Sequence, residues 1–161
     1  MPDRPYPSNA TRMLLIMGGC FTTAMAAYHF FLPTMFGWAA EVTSVHPTVS
    51  WAPFSLNFFF SYVLLALGVL TLLGALLRRT QEWTYLAVAV AAAGFWLVNG
   101  SYQVMVPMPM PHRYVLWSYF LKAYAFAVAL LYLIPVASIA RAQRGSVLTS
   151  LAPTRSVGPP D

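Results

Sequence analysis

The chain has 161 residues, 59% of them hydrophobic and 8% charged, with a net charge of +5 at neutral pH. Soluble domains carry about 25% charged residues, so a soluble fold of this composition would expose large apolar patches and aggregate. The cations flank apolar runs and form no solvated basic stripe interleaved with aromatics, which excludes nucleic acid and makes membrane lipids the first implied partner.

Residues 1–12 form a polar, proline-rich tail carrying Arg4 and Arg12. The first apolar run, Met13–Leu32, is expected to stop at Pro33, because proline lacks the N–H that a continuing helix needs. Ala24-Met25-Ala26 has the small-x-small form of a signal-peptidase site. The run nevertheless continues to full span length, so residues 1–26 are read as retained. The single cysteine, Cys20, excludes an internal disulfide and dithiol chemistry and is expected to be a small buried side chain.

The segment from Pro33 to Pro53 is too long for a simple connector. Its Trp, Phe and Val residues suggest a surface-lying loop with a short helix around Trp38–Ser44. The second run, Phe54–Leu77, leads through the tight hairpin Arg78-Arg79-Thr80-Gln81-Glu82 into the third, Trp83–Val106. The stiff Pro107-Met108-Pro109-Met110-Pro111 loop precedes the fourth, Tyr114–Ala140. Residues 141–161, rich in Ser, Pro and Gly, are expected to be disordered.

Each run reaches the roughly 20 residues that cross about 30 Å of hydrocarbon. Lipid offers backbone groups no partners, so each must be a helix. The expected fold is all-α: a four-helix transmembrane bundle over residues 13–140, up-down-up-down. Arg4, Arg12, Arg78, Arg79, Arg141, Arg144 and Arg155 fall on one side of the runs and only Arg113 on the other. Positive loops stay inside, so both termini are expected in the cytoplasm, and the inner membrane of a bacterial cell is the expected location. Small residues at Ala89, Ala93 and Gly94, at Ala123 and Ala127, and at Gly68 and Gly74 are expected to form packing seams.

Polar residues within the runs concentrate toward the outer ends: His29, Asn57 and Ser61, Asn99, Ser101 and Gln103, Ser118 and Lys122. Facing inward, they would make a pocket open to the outer face, with Tyr28, Tyr62, Tyr102, Tyr119 and Tyr124 as lining. The candidate ligand-binding set is His29, Asn57, Asn99, Gln103, Lys122 and Glu41. Lys122 lies two turns inside, where a charge needs a partner or an escape to the interface. Glu41 is its expected counter-charge. Met105, Met108, Met110 and His112, joined by His46, form a weaker candidate for a soft metal ion such as Cu(I).

No carboxylate lies within a run, which argues against a proton-coupled carrier. No H-E-x-x-H, G-x-S-x-G or phosphate-binding loop is present, and nothing specifies a cofactor or a catalytic set. The leading expectation is a small non-catalytic accessory, assembly or binding subunit, with a possible protein partner in the membrane. The alternative is a membrane enzyme or redox protein acting on a lipid-like or quinone-like molecule at the outer surface.

Overall fold

The computed structural model describes residues 8–42, 46–77, 82–107 and 115–151. These are almost wholly helical, with no strand among them. The elements are α1 (Asn9–Met35), α2 (Trp38–Glu41), α3 (Pro47–Leu76), α4 (Glu82–Met105) and α5 (Val115–Leu151). All but α2 contain a stretch long and apolar enough to cross a membrane: Asn9–Met35, Pro47–Leu76, Leu86–Met105 and Val115–Ala142.

The helix ends follow local chemistry. Ser8 caps α1, its hydroxyl accepting the Thr11 N–H at 3.2 Å, which satisfies one of the free donors of the first turn. Gly37 ends the α1 turn at φ 61°, a left-handed conformation that glycine takes without Cβ strain. His46 caps α3, with Nδ1 accepting the Thr48 N–H at 3.3 Å, and Pro47 occupies the first turn, where its missing N–H costs nothing. The Arg12 Nε donates to the Ala75 carbonyl at 2.7 Å. A cation thereby covers an orphan acceptor at the C-terminal end of α3.

Several helix boundaries differ from the sequence reading. Helix α1 runs through Pro33, α3 begins at Pro47 and runs through Pro53, and α5 continues past Arg141 to Leu151 where a loose tail was expected. The first difference has a visible cause. Pro33 cannot donate to the carbonyl four residues back, that of His29, and Asn57 Nδ2 on α3 donates to it instead at 2.7 Å. Neighbouring helices commonly fill such gaps in membrane proteins. The stretch after Arg141 has no proline before Pro153 to stop the helix.

Helix α1 packs chiefly on α3 and also on α5; α4 packs chiefly on α5 and also on α3. The four long helices therefore close into a ring. Arg12 meets Ala75, Gly19 lies against Gly68, and His29 meets Asn57, so α1 and α3 are antiparallel. Gly18 meets Tyr132 and Tyr28 meets Trp117, so α1 and α5 are antiparallel as well.

Packing is closest on α1 and α3. A Cβ added to Gly68 would lie 2.8 Å from the Thr23 backbone nitrogen and 3.1 Å from the Gly19 carbonyl oxygen. Close backbone approach replaces the hydrophobic drive that lipid does not supply. The expected seams are only partly the observed ones. Ala89 and Ala93 are buried and Gly68 is in the tightest contact, but Gly94 is open to its surroundings. Ala123 and Ala127 are exposed, and Ala125, Val128 and Ala129 are the buried face of α5. Cys20 is exposed rather than buried.

Candidate functional site

The buried stripe of each long helix turns polar toward the same end of the ring. On α1 the stripe passes Leu15, Gly18, Thr22 and Ala26 to reach His29; on α3 it passes Thr71, Gly68, Leu64 and Ser61 to reach Asn57. On α4 it runs from Ala89 through Ala93 and Trp96 to Asn99 and Gln103, and on α5 from Tyr132 through Ala129 and Ala125 to Lys122. The first members are buried and the last are partly buried. The helices thus pack tightly through the middle, and their inward faces are less buried where the polar groups begin.

These groups fall into separate sets. His29 and Asn57 form a closed pair across α1 and α3: besides filling the Pro33 gap, Asn57 Oδ1 accepts from His29 Nδ1 at 3.3 Å. On α4, Gln103 Nε2 donates to Asn99 Oδ1 at 2.6 Å. That bond leaves the Asn99 NH2 and the Gln103 carbonyl oxygen without a hydrogen bond among the described residues. Lys122 Nζ lies 5.4 Å from the centre of the Tyr119 ring, within cation–π range.

The expected ion pair between Lys122 and Glu41 is not formed. Glu41 is exposed on α2, which packs on α1, whereas Lys122 belongs to α5. Among the described residues neither makes an ion pair. Of the tyrosines expected as lining, Tyr28 and Tyr124 are partly buried and Tyr62, Tyr102 and Tyr119 are exposed.

Beneath and between the polar groups runs a closed circuit of ring contacts that touches all four long helices. His29 meets Phe60 at 4.8 Å, Phe60 meets Phe95 at 5.4 Å, and Phe95 meets Trp96 at 5.8 Å. Trp96 meets Tyr124 at 5.7 Å, Tyr124 meets Phe120 at 5.8 Å, and Phe120 stacks on Trp117 at 5.0 Å. Trp117 meets Tyr28 at 6.1 Å, and Tyr28 returns to His29 at 5.6 Å. The separations are those of favourable edge and offset aromatic contacts. The circuit's polar handles are engaged: Trp117 Nε1 donates to the Tyr28 hydroxyl and the Tyr124 hydroxyl to the Phe21 carbonyl.

An open groove of about 740 Å³ lies elsewhere, between the end of α1, α2 and the start of α3. Phe30, Pro33, Trp51, Phe54 and Phe58 give it a mainly apolar wall, and Asn57 is the one member of the candidate set among its lining.

The sequence reading missed the most deeply buried polar cluster. The Thr22 hydroxyl donates to the Gly18 carbonyl at 2.8 Å and accepts from Trp96 Nε1 at 3.0 Å. The Tyr132 hydroxyl lies 2.9 Å from the same oxygen. Since the one Thr22 proton goes to Gly18, Tyr132 is the donor, and the threonine oxygen has both acceptor sites filled. The cluster joins α1, α4 and α5. The available signal was a Trp and a Tyr in mid-span, each with a polar atom that needs a partner when buried.

The metal candidate is largely beyond view. Met108, Met110 and His112 lie outside the described residues. His46 spends Nδ1 on the α3 cap, and Met105 is exposed at the end of α4. Among the described residues no group of three or more His, Cys, Asp or Glu side chains could hold a metal ion. The chain matches no family model, no curated protein and no solved structure.

Proposed function

We propose that the protein is a non-catalytic binding or accessory subunit of the inner membrane, an up-down-up-down bundle with both termini cytoplasmic and a polar site open to the outer face. The observation that carries this reading is that the inward faces of all four long helices become polar at one end. The arginine asymmetry supports placing that end outside. Binding is favoured over catalysis by the state of His29, the one imidazole in a span. Its Nδ1 is engaged with Asn57 and its ring is packed on Phe60 and Tyr28.

Purification in mild detergent with mass determination of the intact particle tests the reading. A co-purifying protein or amphiphile is expected, and a bare monomer would count against it. Reporter fusions at both termini and beside His46 test the topology; a periplasmic signal from the C-terminal fusion would overturn it. The circuit of aromatic rings also suits the alternative, a protein acting on a quinone-like or lipid-like molecule. Chemical change in the extracted ligand during incubation would favour that alternative.

A further inference from the structure

We infer that the outer end of the α4–α5 pair, built on Lys122, Asn99 and Gln103, is a binding site for the anionic head of an amphipathic molecule, a phosphate or a carboxylate on an apolar body. The inference rests on the binding reading above and specifies its ligand. The hydrogen-bonding capacity at this end divides unevenly between the two sides of the ring. On the α1–α3 side most of it is engaged, because Asn57 turns its amide nitrogen and its oxygen to His29, leaving one N–H of Asn57 and Nε2 of His29. On the α4–α5 side it is open. Lys122 is partly buried on the inward stripe with an aromatic ring and no carboxylate as its described partner.

The register places these groups together. Gly100 lies against Phe126, with an added Cβ 3.1 Å from the ring, and Trp96 meets Tyr124 at 5.7 Å. Asn99 adjoins Gly100, and Lys122 is one turn from Phe126, so the two lie within about a turn of each other along the seam. Gln103 follows one turn beyond Asn99, its nitrogen spent on Asn99. The Asn99 NH2 and the Lys122 ammonium are then donors at the same end of the α4–α5 seam, and both complement an anion. An isolated ammonium at this depth is costly, and an anionic head would relieve the cost without a protein carboxylate. Tyr119 and Phe126, each about one turn from Lys122 on the same face of α5, offer apolar surface for the body of such a molecule.

The test uses the full-length protein in a neutral maltoside detergent, with tryptophan fluorescence as the readout. Dodecyl phosphate, dodecanoate and dodecylphosphocholine are compared, and inorganic phosphate alone serves as a fourth probe. The two anionic amphiphiles are expected to bind at least about tenfold more tightly than the zwitterionic one, equivalent to about 1.4 kcal/mol. Lys122→Met should erase that preference and Lys122→Arg should keep it. Arg141→Gln with Arg144→Gln, on the opposite side, should leave it unchanged, which excludes attraction by net charge alone. Asn99→Leu should reduce it and provides a second variant should Lys122→Met fail to fold.

Tight binding of inorganic phosphate would identify a free anion rather than a lipid-like head as the ligand and would overturn the amphiphile assignment. Equal binding of all three amphiphiles to wild type and Lys122→Met would overturn the inference and leave the binding reading standing, with Lys122 merely reaching to the interface. No binding of any amphiphile, together with no co-purifying molecule, would overturn both.

Discussion

Replacing Thr22 by valine removes one oxygen from the middle of the bundle and little else. The two side chains have nearly the same shape, so no cavity opens. The Trp96 N–H and the Tyr132 hydroxyl, on residues 1% and 0% exposed, both lose their acceptor. An orphaned buried donor costs about 1–3 kcal/mol in soluble proteins. Interhelical hydrogen bonds in membrane proteins average about 0.6 kcal/mol and reach about 1.7. Two orphans at the upper part of the membrane range give about 2–3 kcal/mol. That should be read as a lower midpoint in denaturant titration of the detergent-solubilised protein. Thr23→Val, one residue along, provides the contrast. The Thr23 hydroxyl is buried with no hydrogen-bond partner among the described residues, so its removal strands nothing and should leave stability unchanged or raise it. Trp96→Phe in the Thr22→Val background should cost less than Trp96→Phe alone, because the donor it deletes is already stranded. Equal stability of Thr22→Val and wild type, or strict additivity in the pair, would refute the assigned cluster.

Asn57→Leu strips the Pro33 gap of its donor and should cost about 1–2 kcal/mol; adding Pro33→Ala should recover most of it, since residue 33 then donates to the His29 carbonyl itself. Gly68→Ala should cost about 1–3 kcal/mol by forcing α1 and α3 apart, whereas Gly94→Ala, with nothing within 4 Å of its added Cβ, should be neutral or stabilising. Lys122→Met and Glu41→Gln should each leave thermal stability in detergent unchanged or slightly raised, and their effects should add; a coupling above about 1 kcal/mol would restore the ion pair that the structure lacks.

The four spans were legible because lipid imposes a length and a polarity on any crossing segment, and residues 13–140 carry that imprint in plain view. The faces were less legible. In water the apolar side of a helix identifies its interior side. In α5 both sides are apolar, so Ala123 and Ala127 read as well as Ala125 and Ala129, and only the second pair is buried. The helix ends were misread at proline for a related reason. Pro33 is a stop by local rules, yet the group that lets α1 continue is Asn57, 28 residues from His29. A local pattern holds no trace of that bond. The candidate site was legible as a list of polar residues at one end of the runs. Their division into partnered and unpartnered groups was not, because it depends on which helices become neighbours.

That division is the stronger guide to function. A polar side chain inside a membrane protein is retained either because it repairs the fold or because something else needs it. The two cases differ in whether its hydrogen-bonding capacity is used up. Thr22, Trp96 and Tyr132 satisfy one another and hold three helices together. His29 and Asn57 bond to each other, and Asn57 also fills the Pro33 gap. His46 caps a helix and Arg12 covers a helix end. Once these are set aside, Asn99, Gln103 and Lys122 still have capacity that the described residues do not use, and they share one seam. A ligand recognised at the Thr22 cluster or the His29–Asn57 pair would have to break a bond that the fold already uses. At the Lys122 end of α4 and α5 it would break none, so Lys122 and Asn99 are the residues at which a substitution should separate binding from stability.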